Sequence, residues 1–545
     1  MPKKTRILIV STGRIHDFAM AGHLIEERLA SEVDFDVTLS FDLEPISEAG
    51  LRRFDVLILY VQEERLSKNQ TSDLVTWVSK GKTLIGLHCA TASFLDNPEY
   101  GRLLGWRFSN HGPIHRSEVE PTETDHPITR RIPPFKVEDE LYLLEDLAGD
   151  SEILLTARWQ GGKQPILTFR QEGKGKVVYF ALGHDARSLG DPTFQKILLR
   201  SIRWTRGVTE SGPIRCGVIG YGGAYNMGRE HGRLIEATRG LELVGVCDLD
   251  STRLALAKED FPSVAVFPSY RRLLQMDELD LVVLVTPHNT HAALAVQCLN
   301  AGKHVITEKP MCITVTEAKK MVGAAKRKKR MLSVFHNRRW DGDYTTLKRI
   351  VASGAIGEIF QIEVFSGGYE HPGWWWRSDK KISGGCLHDW GAHFIDWFLD
   401  LIPSPVIDVA GHFHKRHWHA VTNEDHALAT LRFKSGVTAT IEQSNLAAAP
   451  KDRWRVLGTQ GAATWKGWGE DFWNVISYKD SDEPVVSRVP FEKGDWHAYY
   501  RNIADHLTLG EELVVKGEDG LRIISMIEAA EKSSKARKSV KPEVG

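Results

Sequence analysis

The chain has 545 residues and a formal net charge of −1 at pH 7. This length is too great for one hydrophobic core and predicts two to four domains. The near-zero charge excludes a general attraction to nucleic acid or to an anionic membrane surface, so neither is expected as a partner.

The cysteines and the N-terminus indicate the cellular compartment. Six cysteines, without paired spacing and without a CxxC motif, fit a reducing compartment and exclude a cysteine zinc ribbon. The basic N-terminus leads into an apolar run of only four residues, which predicts a first strand and not a signal peptide. No run approaches the roughly 20 apolar residues that cross a bilayer. We expect a soluble, cytoplasmic protein.

Residues 1–207 form the first predicted domain, in which strand and helix patterns alternate. The predicted strands are Arg6–Ser11, Val56–Tyr60 and Thr83–Leu87, and the predicted helices are Ala21–Ala30 and Ser72–Lys80. This alternation is typical of an α/β fold, with a parallel sheet covered by helices on both faces. Ligands of such folds bind at the carboxyl ends of the strands.

Histidines and carboxylates follow several strands of this first domain. They are His16 and Asp17, His88, His111, His115, Asp125 and His126, Asp139 and Glu140, and His184 and Asp185. Any one such histidine is more often a hydrogen-bonded structural residue. Several at predicted strand ends favour a shared pocket.

Residues 5–206 resemble the ThuA-like (trehalose-utilisation) family, which shares the fold of class I glutamine amidotransferases. The resemblance rests on His16-Asp17, Gly86-Leu87-His88, His126-Pro127, Asp139-Glu140-Leu141-Tyr142 and Gly183-His184-Asp185. It implies a flavodoxin-like, class I amidotransferase-like domain.

Glutaminase chemistry is not expected from this domain. Amidotransferases carry their nucleophilic cysteine at the elbow position that His88 occupies, and Cys89 is one residue further along. His88, His184 and Glu140 are therefore the catalytic candidates, for acid/base work on a sugar or a ketosugar. Metal binding by these histidines stays open, but no HExxH-type spacing supports it and no metal site is predicted.

A break rich in Gly, Pro and Ser at residues 207–213 precedes the second predicted domain, residues 213–335. Its first strand, Arg215–Ile219, leads into a glycine turn and then a helix, as the pyrophosphate of a dinucleotide requires. The glycine pattern is imperfect, because Tyr225 stands at the third glycine position and Gly228 comes three residues late.

An acidic residue follows the next predicted strand, Leu241–Cys247. Asp248 at this place can accept a hydrogen bond from a ribose 2′-hydroxyl and would repel a 2′-phosphate, which favours NAD over NADP. The neighbouring Arg253 leaves NADP open. The alternative role of Asp248 is to cap the helix that follows.

Two further strands, Leu279–Val285 and Lys303–Thr307, end in polar segments. The first segment is Thr286-Pro287-His288-Asn289-Thr290-His291, and the second is Glu308-Lys309-Pro310. With the glycine turn and Asp248, these segments resemble the Gfo/Idh/MocA oxidoreductases over about residues 213–545. The resemblance implies a Rossmann domain that binds NAD.

The residues expected to contact this cofactor lie on the turns named above and on the segment after the Rossmann domain. They are Gly220, Gly222, Gly223, Ala224, Tyr225, Asn226, Asp248, Thr286, Pro287, Asn289, His291, Glu308, Lys309 and Asn337.

The catalytic residues that the family pattern implies are Lys309, Asp389 and His393. Residues 384–396 are expected to be a loop entering a helix, with Asp389, His393 and Asp396 on one helix face and the apolar side chains on the other. His393 is assigned as the general base on the substrate hydroxyl, and Lys309 as the cation that polarises its oxygen. Asp389 would either bind the hydroxyl or orient the other two residues. Whether Lys309 or His393 takes the proton stays open.

The third predicted domain, residues 336–545, is an α+β domain with an open, mainly antiparallel sheet, which the family uses for substrate binding and for assembly into a homo-oligomer. Its predicted strands include Ala427–Phe433 and Val437–Glu442, and its last helix is Leu521–Lys532. The substrate residues expected in it are Arg338, Trp375, Trp376 and Arg377, since aromatic faces beside polar groups suit sugar rings.

These observations predict an NAD-dependent oxidoreductase that acts on a sugar or glycoside hydroxyl. The resemblance implies oxidation at C3, and the ThuA-like domain would process the ketosugar. Oxidation would acidify the C2 proton, permit loss of the aglycone, and leave reduced cofactor to reduce the product, so that the net reaction is hydrolysis. The alternatives are a simple sugar or polyol dehydrogenase with a non-catalytic N-terminal domain, and a sensor that binds NAD(H) without turnover.

Overall fold

A computed structural model describes residues 4–32, 35–63, 65–122, 126–130, 132–159, 162–205, 213–223, 225–467 and 469–545. The chain divides into two compact units, Met1–Ser211 and Gly212–Gly545. Residues 207–212 of the predicted break lie outside the described residues.

The strands of the first unit are β1 (Thr5–Gly13), β2 (Phe35–Ser40), β3 (Val56–Gln62), β4 (Thr83–Leu87), β5 (Trp106–His111), β6 (His115–Pro121), β7 (Phe135–Asp139), β8 (Tyr142–Asp146), β9 (Glu152–Trp159), β10 (Gly162–Glu172) and β11 (Gly175–Phe180). Its helices are α1 (Phe18–Ala30), α2 (Glu48–Leu51), α3 (Lys68–Ser79), α4 (Pro98–Leu104), α5 (Ala186–Leu189) and α6 (Pro192–Thr205).

The main sheet of the first unit has the order β2-β1-β3-β4-β11-β10-β9-β6-β7. The run from β2 to β11 is parallel, as predicted, and the strands beyond β11 continue the sheet in antiparallel pairs. Strands β3 and β4 are buried along nearly their whole length, because helices cover both faces of a parallel sheet. The adjacent strands β4 and β11 end side by side. His88 directly follows β4, and His184 follows the end of β11 by four residues.

The strands of the second unit are β12 (Ile214–Ile219), β13 (Leu241–Cys247), β14 (Ala265–Phe267), β15 (Leu281–Leu284), β16 (His304–Thr307), β17 (Leu332–Val334), β18 (Ile359–Gly367), β19 (Val406–His414), β20 (His426–Phe433), β21 (Thr438–Ser444), β22 (Trp454–Gly458), β23 (Gly461–Trp465), β24 (Phe472–Ser477) and β25 (Val485–Pro490). Its helices are α7 (Met227–Glu236), α8 (Ser251–Asp260), α9 (Tyr270–Leu273), α10 (His288–Asn300), α11 (Val315–Lys328), α12 (Gly342–Ala352), α13 (Lys380–Ser383), α14 (Trp390–Leu401), α15 (His497–Leu509) and α16 (Gly517–Ala536).

The first sheet of this unit is a parallel Rossmann sheet with the order β14-β13-β12-β15-β16-β17. The strand order reverses between β12 and β15, and ligands of open α/β sheets bind beside such a point. The glycine turn follows β12, and the 286–291 segment follows β15. The predicted Rossmann fold is confirmed.

The second sheet has the order β19-β20-β21-β18-β22-β23-β24-β25. Its pairs are antiparallel except for β18 with β21, so the predicted open, mainly antiparallel sheet is confirmed. One continuous hydrophobic core joins both sheets of the unit. The predicted boundary between residues 335 and 336 therefore stays a prediction.

All six cysteines are free and buried. Among the described residues, no helix combines the length and the apolar character that a membrane span needs.

Candidate active site

The glycine turn after β12 is shaped by two close approaches of backbone to backbone. Gly220 has a φ of +102°, and a Cβ added to it would lie 2.1 Å from the carbonyl oxygen of Val285. A Cβ on Gly228, at the start of α7, would lie 2.5 Å from the carbonyl oxygen of Gly220. Gly228 therefore permits the close packing of helix against strand. In the usual pattern the third glycine has this role, and it stands three residues earlier, at the position of Tyr225.

The open part of the turn is at Gly222. A Cβ added there would meet no heavy atom within 4 Å. The turn thus leaves free space in front of its backbone, at the N-terminal end of α7, where a dinucleotide pyrophosphate binds in this fold.

Asp248 holds the glycine turn against the end of β13. Its carboxylate accepts hydrogen bonds from the backbone N–H of Tyr221 (2.6 Å) and of Asp250 (2.9 Å). The N-cap of α8 is Asp250, which accepts from the N–H of Thr252 (2.8 Å), so Asp248 does not cap that helix. Arg253 lies close by, since a Cβ added to Gly223 would be 2.3 Å from its Nη2.

Two histidines tie the strand ends of the Rossmann sheet together. His291 is fully buried, and its ring nitrogens bond the carbonyl oxygens of Thr286 (2.8 Å) and Pro310 (2.9 Å). His231 donates from Nε2 to Glu308 (3.1 Å), whose other oxygen accepts from the N–H of Lys309 (3.0 Å). These bonds fix the direction in which the Lys309 side chain leaves β16.

Lys309 and Asp389 meet across the two halves of the unit. Lys309 Nζ lies 2.7 Å from Asp389 Oδ1, and an Nη of Arg377 lies 3.0 Å from the same oxygen. Burial would raise the pKa of the Asp389 carboxyl, but the charges of Lys309 and Arg377 outweigh it and hold that pKa below its ordinary value. Asp389 is therefore ionised and orients both cations.

His393 lies one helical turn beyond Asp389 and is buried. The pKa of its imidazole lies well below the ordinary value. Burial is the largest cause, and the positive charge of Lys309 is the second. Its Nδ1 has no hydrogen-bond partner among the described residues. A neutral imidazole can accept a proton from a hydroxyl bound beside it.

Residues 384–396 are a loop that enters a helix, as expected. Helix α14 begins at Trp390, and Asp389 is its N-cap residue, with φ −87° and ψ −96°. The polar side chains of this helix are buried as well: His393 and Asp396 are both buried, and Asp396 pairs with Arg339 at 2.6 Å.

A cavity of about 610 Å³ connects the glycine turn with these catalytic candidates. Its lining includes the predicted residues Gly222, Gly223, Tyr225, Thr286, Pro287, His291, Glu308, Lys309, Asn337, Arg338, Trp376, Arg377, Asp389 and His393. Asn289 is exposed on α10 and is not among the lining residues. Asn226 is the N-cap residue of α7, with a φ of +50°, and Ala224 lies outside the described residues.

A second cavity, of about 860 Å³, continues past Asp389 toward the antiparallel sheet. The two cavities share His288, Arg377, Asp389 and Trp390. Trp374 and Trp375 line the second cavity, and Trp374 is 75% exposed.

The tyrosine of the glycine turn contacts the substrate side of the site. Tyr225 packs edge-on against Trp375, with ring centroids 5.7 Å apart, and the Arg377 guanidinium lies 5.2 Å from the centre of the Tyr225 ring. The residue that breaks the glycine pattern therefore closes one wall of the cavity.

Several residues at this site were not selected from the sequence. His288 lines both cavities and bonds the Ser383 carbonyl oxygen through Nδ1 (2.7 Å), while His336 lies 5.9 Å from His393 between ring centroids. The guanidinium of Arg338 lies 4.5 Å from the ring centre of Trp390 and 5.6 Å from that of Trp496. His288 and Trp390 stand inside the 286–291 and 384–396 segments, and His336 directly precedes the predicted Asn337, so their signal was present; Trp496 is distant in sequence.

The first unit brings together its own polar cluster. His88 Nε2 and His184 Nδ1 lie 3.4 and 3.0 Å from the same oxygen of Glu140, and His111 Nδ1 lies 3.1 Å from the other oxygen. The three predicted residues thus form one site. The ring of His16 joins it, with its centroid 5.1 Å from that of His88 and 4.9 Å from that of His184.

Cys89 is fully buried, and burial raises the pKa of its thiol. A buried, protonated thiol is a poor nucleophile.

Comparison with known proteins assigns both units. Residues 6–205 match the ThuA family, described as trehalose utilisation. Residues 214–336 match the Gfo/Idh/MocA oxidoreductase family with its NAD-binding Rossmann fold, and residues 344–464 match the C-terminal domain of that family.

Individual relatives match the second unit over nearly their whole length. The uncharacterized oxidoreductase YdgJ of Escherichia coli is 31% identical over 344 residues, which are 59% of this chain and 97% of that protein. The scyllo-inositol 2-dehydrogenase (NADP(+)) IolW of Bacillus subtilis is 28% identical over 349 residues, 60% of this chain and 95% of that protein. The crystal structure of an NAD-binding protein from Listeria innocua superposes with a TM-score of 0.54 at 28% identity, covering 60% of this chain and 96% of that one.

The glycine turn, the Lys309–Asp389 pair and these matches lead to one assignment: the chain belongs to the Gfo/Idh/MocA family of NAD-binding oxidoreductases and carries an N-terminal domain of the ThuA family.

Proposed function

We propose that the second unit is an NAD-dependent dehydrogenase that oxidises a secondary hydroxyl of a sugar, a glycoside or a cyclic polyol. The observation that carries this proposal is the position of Lys309. Lys309 lines a cavity that the dinucleotide turn also lines, its ammonium group pairs with the Asp389 carboxylate at 2.7 Å, and His393 lines the same cavity. A sensor without turnover would have no use for this arrangement.

The residues of the glycine turn fit a dinucleotide. Gly222 leaves open space in front of its backbone, and the Asp248 carboxylate stands at the end of β13, where this fold places the adenosine ribose. The bound cofactor would supply the hydride acceptor. Asp248 favours NAD, while Arg253, which lies against Gly223, and the NADP(+) in the name of IolW keep NADP as the competing cofactor.

The substrate hydroxyl is handled by the residues of the chain itself. Lys309 holds the oxygen and stabilises the negative charge that develops on it, and His393 accepts its proton. Asp389 keeps the ammonium group of Lys309 in place and, with Arg377, gives the cavity fixed donors and acceptors for neighbouring hydroxyls.

The size of the second cavity favours a glycoside over a free monosaccharide. It begins at Asp389 and Trp390, which it shares with the first cavity, and it adds about 860 Å³ lined in part by Trp374 and Trp375. Aromatic side chains with polar neighbours suit the faces of sugar rings. A second ring or an aglycone would occupy this space while the reacting ring lies at Lys309.

The finer part of the proposal is oxidation at C3 followed by loss of the aglycone. A C3 ketone acidifies the C2 proton, so elimination of a C1 substituent becomes feasible, and later hydration and reduction would complete a hydrolysis. The ThuA-family unit would process the ketosugar. Two active sites on one chain raise the local concentration of such an intermediate.

One assay separates these possibilities. The full chain is incubated with NAD and, in turn, with cyclic polyols, free sugars and a panel of aryl and alkyl glycosides, while reduced nicotinamide and released aglycone are followed together. Stoichiometric reduced nicotinamide without aglycone supports the simple dehydrogenase. Aglycone release with only catalytic NAD supports the glycoside cycle. The absence of both products, with NAD and with NADP, across the whole panel would refute the proposed function.

A further inference from the structure

We propose that the ThuA-family unit binds a divalent first-row transition metal ion through His16, His88, Glu140 and His184. This site is independent of the dehydrogenase chemistry proposed for the second unit. The spacing of these residues in the sequence predicted no metal site, because they come from four separate loops. The distances between their ligand atoms indicate one.

The geometry of the four side chains fits a single ion. Each offers one ligand atom, and these atoms all lie within 4.8 Å of one another. Bonds of about 2.0–2.2 Å to imidazole nitrogen and carboxylate oxygen put neighbouring ligand atoms of a tetrahedral ion about 3.4 Å apart, and ligand atoms on opposite sides of an octahedral ion about 4.4 Å apart. Ligand atoms at the upper limit of 4.8 Å would therefore have to approach each other by about 0.4 to 1.4 Å to close the shell.

His88 has the hydrogen bonding of a metal ligand. Its Nδ1 donates to the carbonyl oxygen of Ala181 (2.8 Å), which leaves the lone pair of the neutral ring on Nε2. This Nε2 is fully buried and has no hydrogen-bond partner among the described residues, and it faces Glu140 Oε1 at 3.4 Å. Two lone pairs that face each other in a buried site repel, and either a proton on the ring or a metal ion bound by both atoms relieves this repulsion. The convergence of two further histidines on the same place favours the metal ion.

Hydrogen bonds from neighbouring residues fix the backbone around the ligands. His88 has a φ of +38°, a conformation that costs energy for a residue with a side chain, and its carbonyl oxygen accepts a hydrogen bond from the Tyr179 hydroxyl (2.9 Å). Asp139 accepts from the N–H of Gly183 (2.7 Å) and of His184 (3.3 Å), and also from the Ser188 hydroxyl. Such supporting contacts orient the ligands of a metal ion.

The ligand set decides the class of ion and suggests its use. Three imidazoles and one carboxylate suit Zn²⁺, Mn²⁺, Fe²⁺, Co²⁺ or Ni²⁺, and they do not suit Ca²⁺ or Mg²⁺, which prefer oxygen ligands. His88 closes the inner side of the site, whereas the side chain of His184 is 24% exposed. An ion held here would keep its outer side for water or for an oxygen atom of a small polar molecule.

The proposal is tested by metal analysis of the full chain, produced without a histidine tag. The chain is stripped with a chelator and titrated with Co²⁺, whose visible absorption reports its coordination, and with Zn²⁺ in competition. We expect one equivalent per chain, and a loss of affinity of at least about 100-fold in His88→Gln and in Glu140→Gln, because each removes a ligand. His126→Gln, which changes another buried histidine of the same unit, is the matched control and should bind as the wild type does.

Each outcome decides the question. Thermal unfolding is followed for all variants, and binding is measured only on folded protein. If both ligand variants fail to fold, Glu140→Asp and His184→Ala take their place. Fewer than about 0.1 equivalents bound by folded wild-type chain, or equal Co²⁺ affinity in the wild type and the ligand variants, would overturn the proposal. Neither result depends on turnover by the second unit.

Discussion

The sharpest test of the proposed dehydrogenase site is Lys309→Met. Methionine keeps the length of an unbranched side chain and removes the charge and all three donors of the ammonium group. The side chain of Lys309 is only 13% exposed, so methionine is tolerated there by size and polarity. Asp389 keeps a counter-charge in the variant, because Arg377 lies 3.0 Å from the same carboxylate oxygen.

The expected loss of activity follows from the geometry. At 2.7 Å from a negative oxygen, an ammonium group contributes an attraction of about 6 kcal/mol at an effective dielectric constant of about 20. A developing alkoxide at a similar distance would receive a comparable attraction, reduced by the desolvation of both groups. Removal of one preorganised donor to an oxyanion typically costs about 10²- to 10³-fold in kcat. We expect kcat to fall about 10³-fold.

The assay is single-turnover formation of reduced nicotinamide with the best substrate of the panel. Lys303→Met is the matched control, since Lys303 directly precedes β16 and bonds the carbonyl oxygen of Leu279 (2.7 Å), away from the cavity. This control should keep kcat within about threefold of the wild type. Dinucleotide affinity is measured in parallel, to separate loss of chemistry from loss of cofactor. If Lys309→Met kept kcat within about tenfold of the wild type, the role assigned to the ammonium group would be wrong.

Three further predictions concern the Rossmann half. Gly222→Ala should leave the melting temperature unchanged, because its Cβ meets only open space, but should weaken dinucleotide binding about tenfold or more by calorimetry. Gly220→Ala should lower the free energy of unfolding by at least about 2 kcal/mol, because its backbone has a φ of +102°. Equal effects of the two substitutions would contradict these roles of the two glycines. Asp248→Ser should raise kcat/KM for NADP relative to NAD at least about tenfold, since a charge that repels the 2′-phosphate is removed, and an unchanged ratio would count against Asp248 as the selector. Burial lowers the pKa of His304 to about 4, and its Nδ1 accepts a hydrogen bond from the N–H of Met331 (2.9 Å). As the pH falls, the imidazole of the unfolded chain is therefore protonated before that of the folded chain. The free energy of unfolding should decrease as the pH drops from 6.5 toward 4. In urea titrations the free energy of unfolding of His304→Gln should decrease over that pH interval by up to about 3 kcal/mol less than that of the wild type. The same pH dependence of this free energy in both proteins would refute the assignment.

The homo-oligomer expected through the C-terminal sheet stays a prediction. It is checked by the molar mass of the full chain in light scattering after gel filtration.

Local patterns were sufficient for the elements and for the family. The predicted strands Thr83–Leu87 and Leu241–Cys247 match β4 and β13 residue for residue, because short apolar runs between turn residues have few other solutions in an α/β fold. The antiparallel continuation of the first sheet was not predicted, since its strands carry mixed polar and apolar residues without a clear period. Helix α1 begins three residues before the predicted start, where Asp17 accepts a hydrogen bond from the N–H of Met20.

The sequence by itself determined which motifs the chain carries: the glycine turn, the lysine after β16, the histidine of α14 and the histidines at the strand ends of the first unit. Only the tertiary structure decided how these motifs meet. Lys309 and Asp389 are 80 residues apart and are joined by a hydrogen bond between their side chains, and three histidines from separate loops converge at Glu140. Periodicity reports the surroundings of a residue within its own element, whereas a distance between elements depends on the packing of every side chain between them.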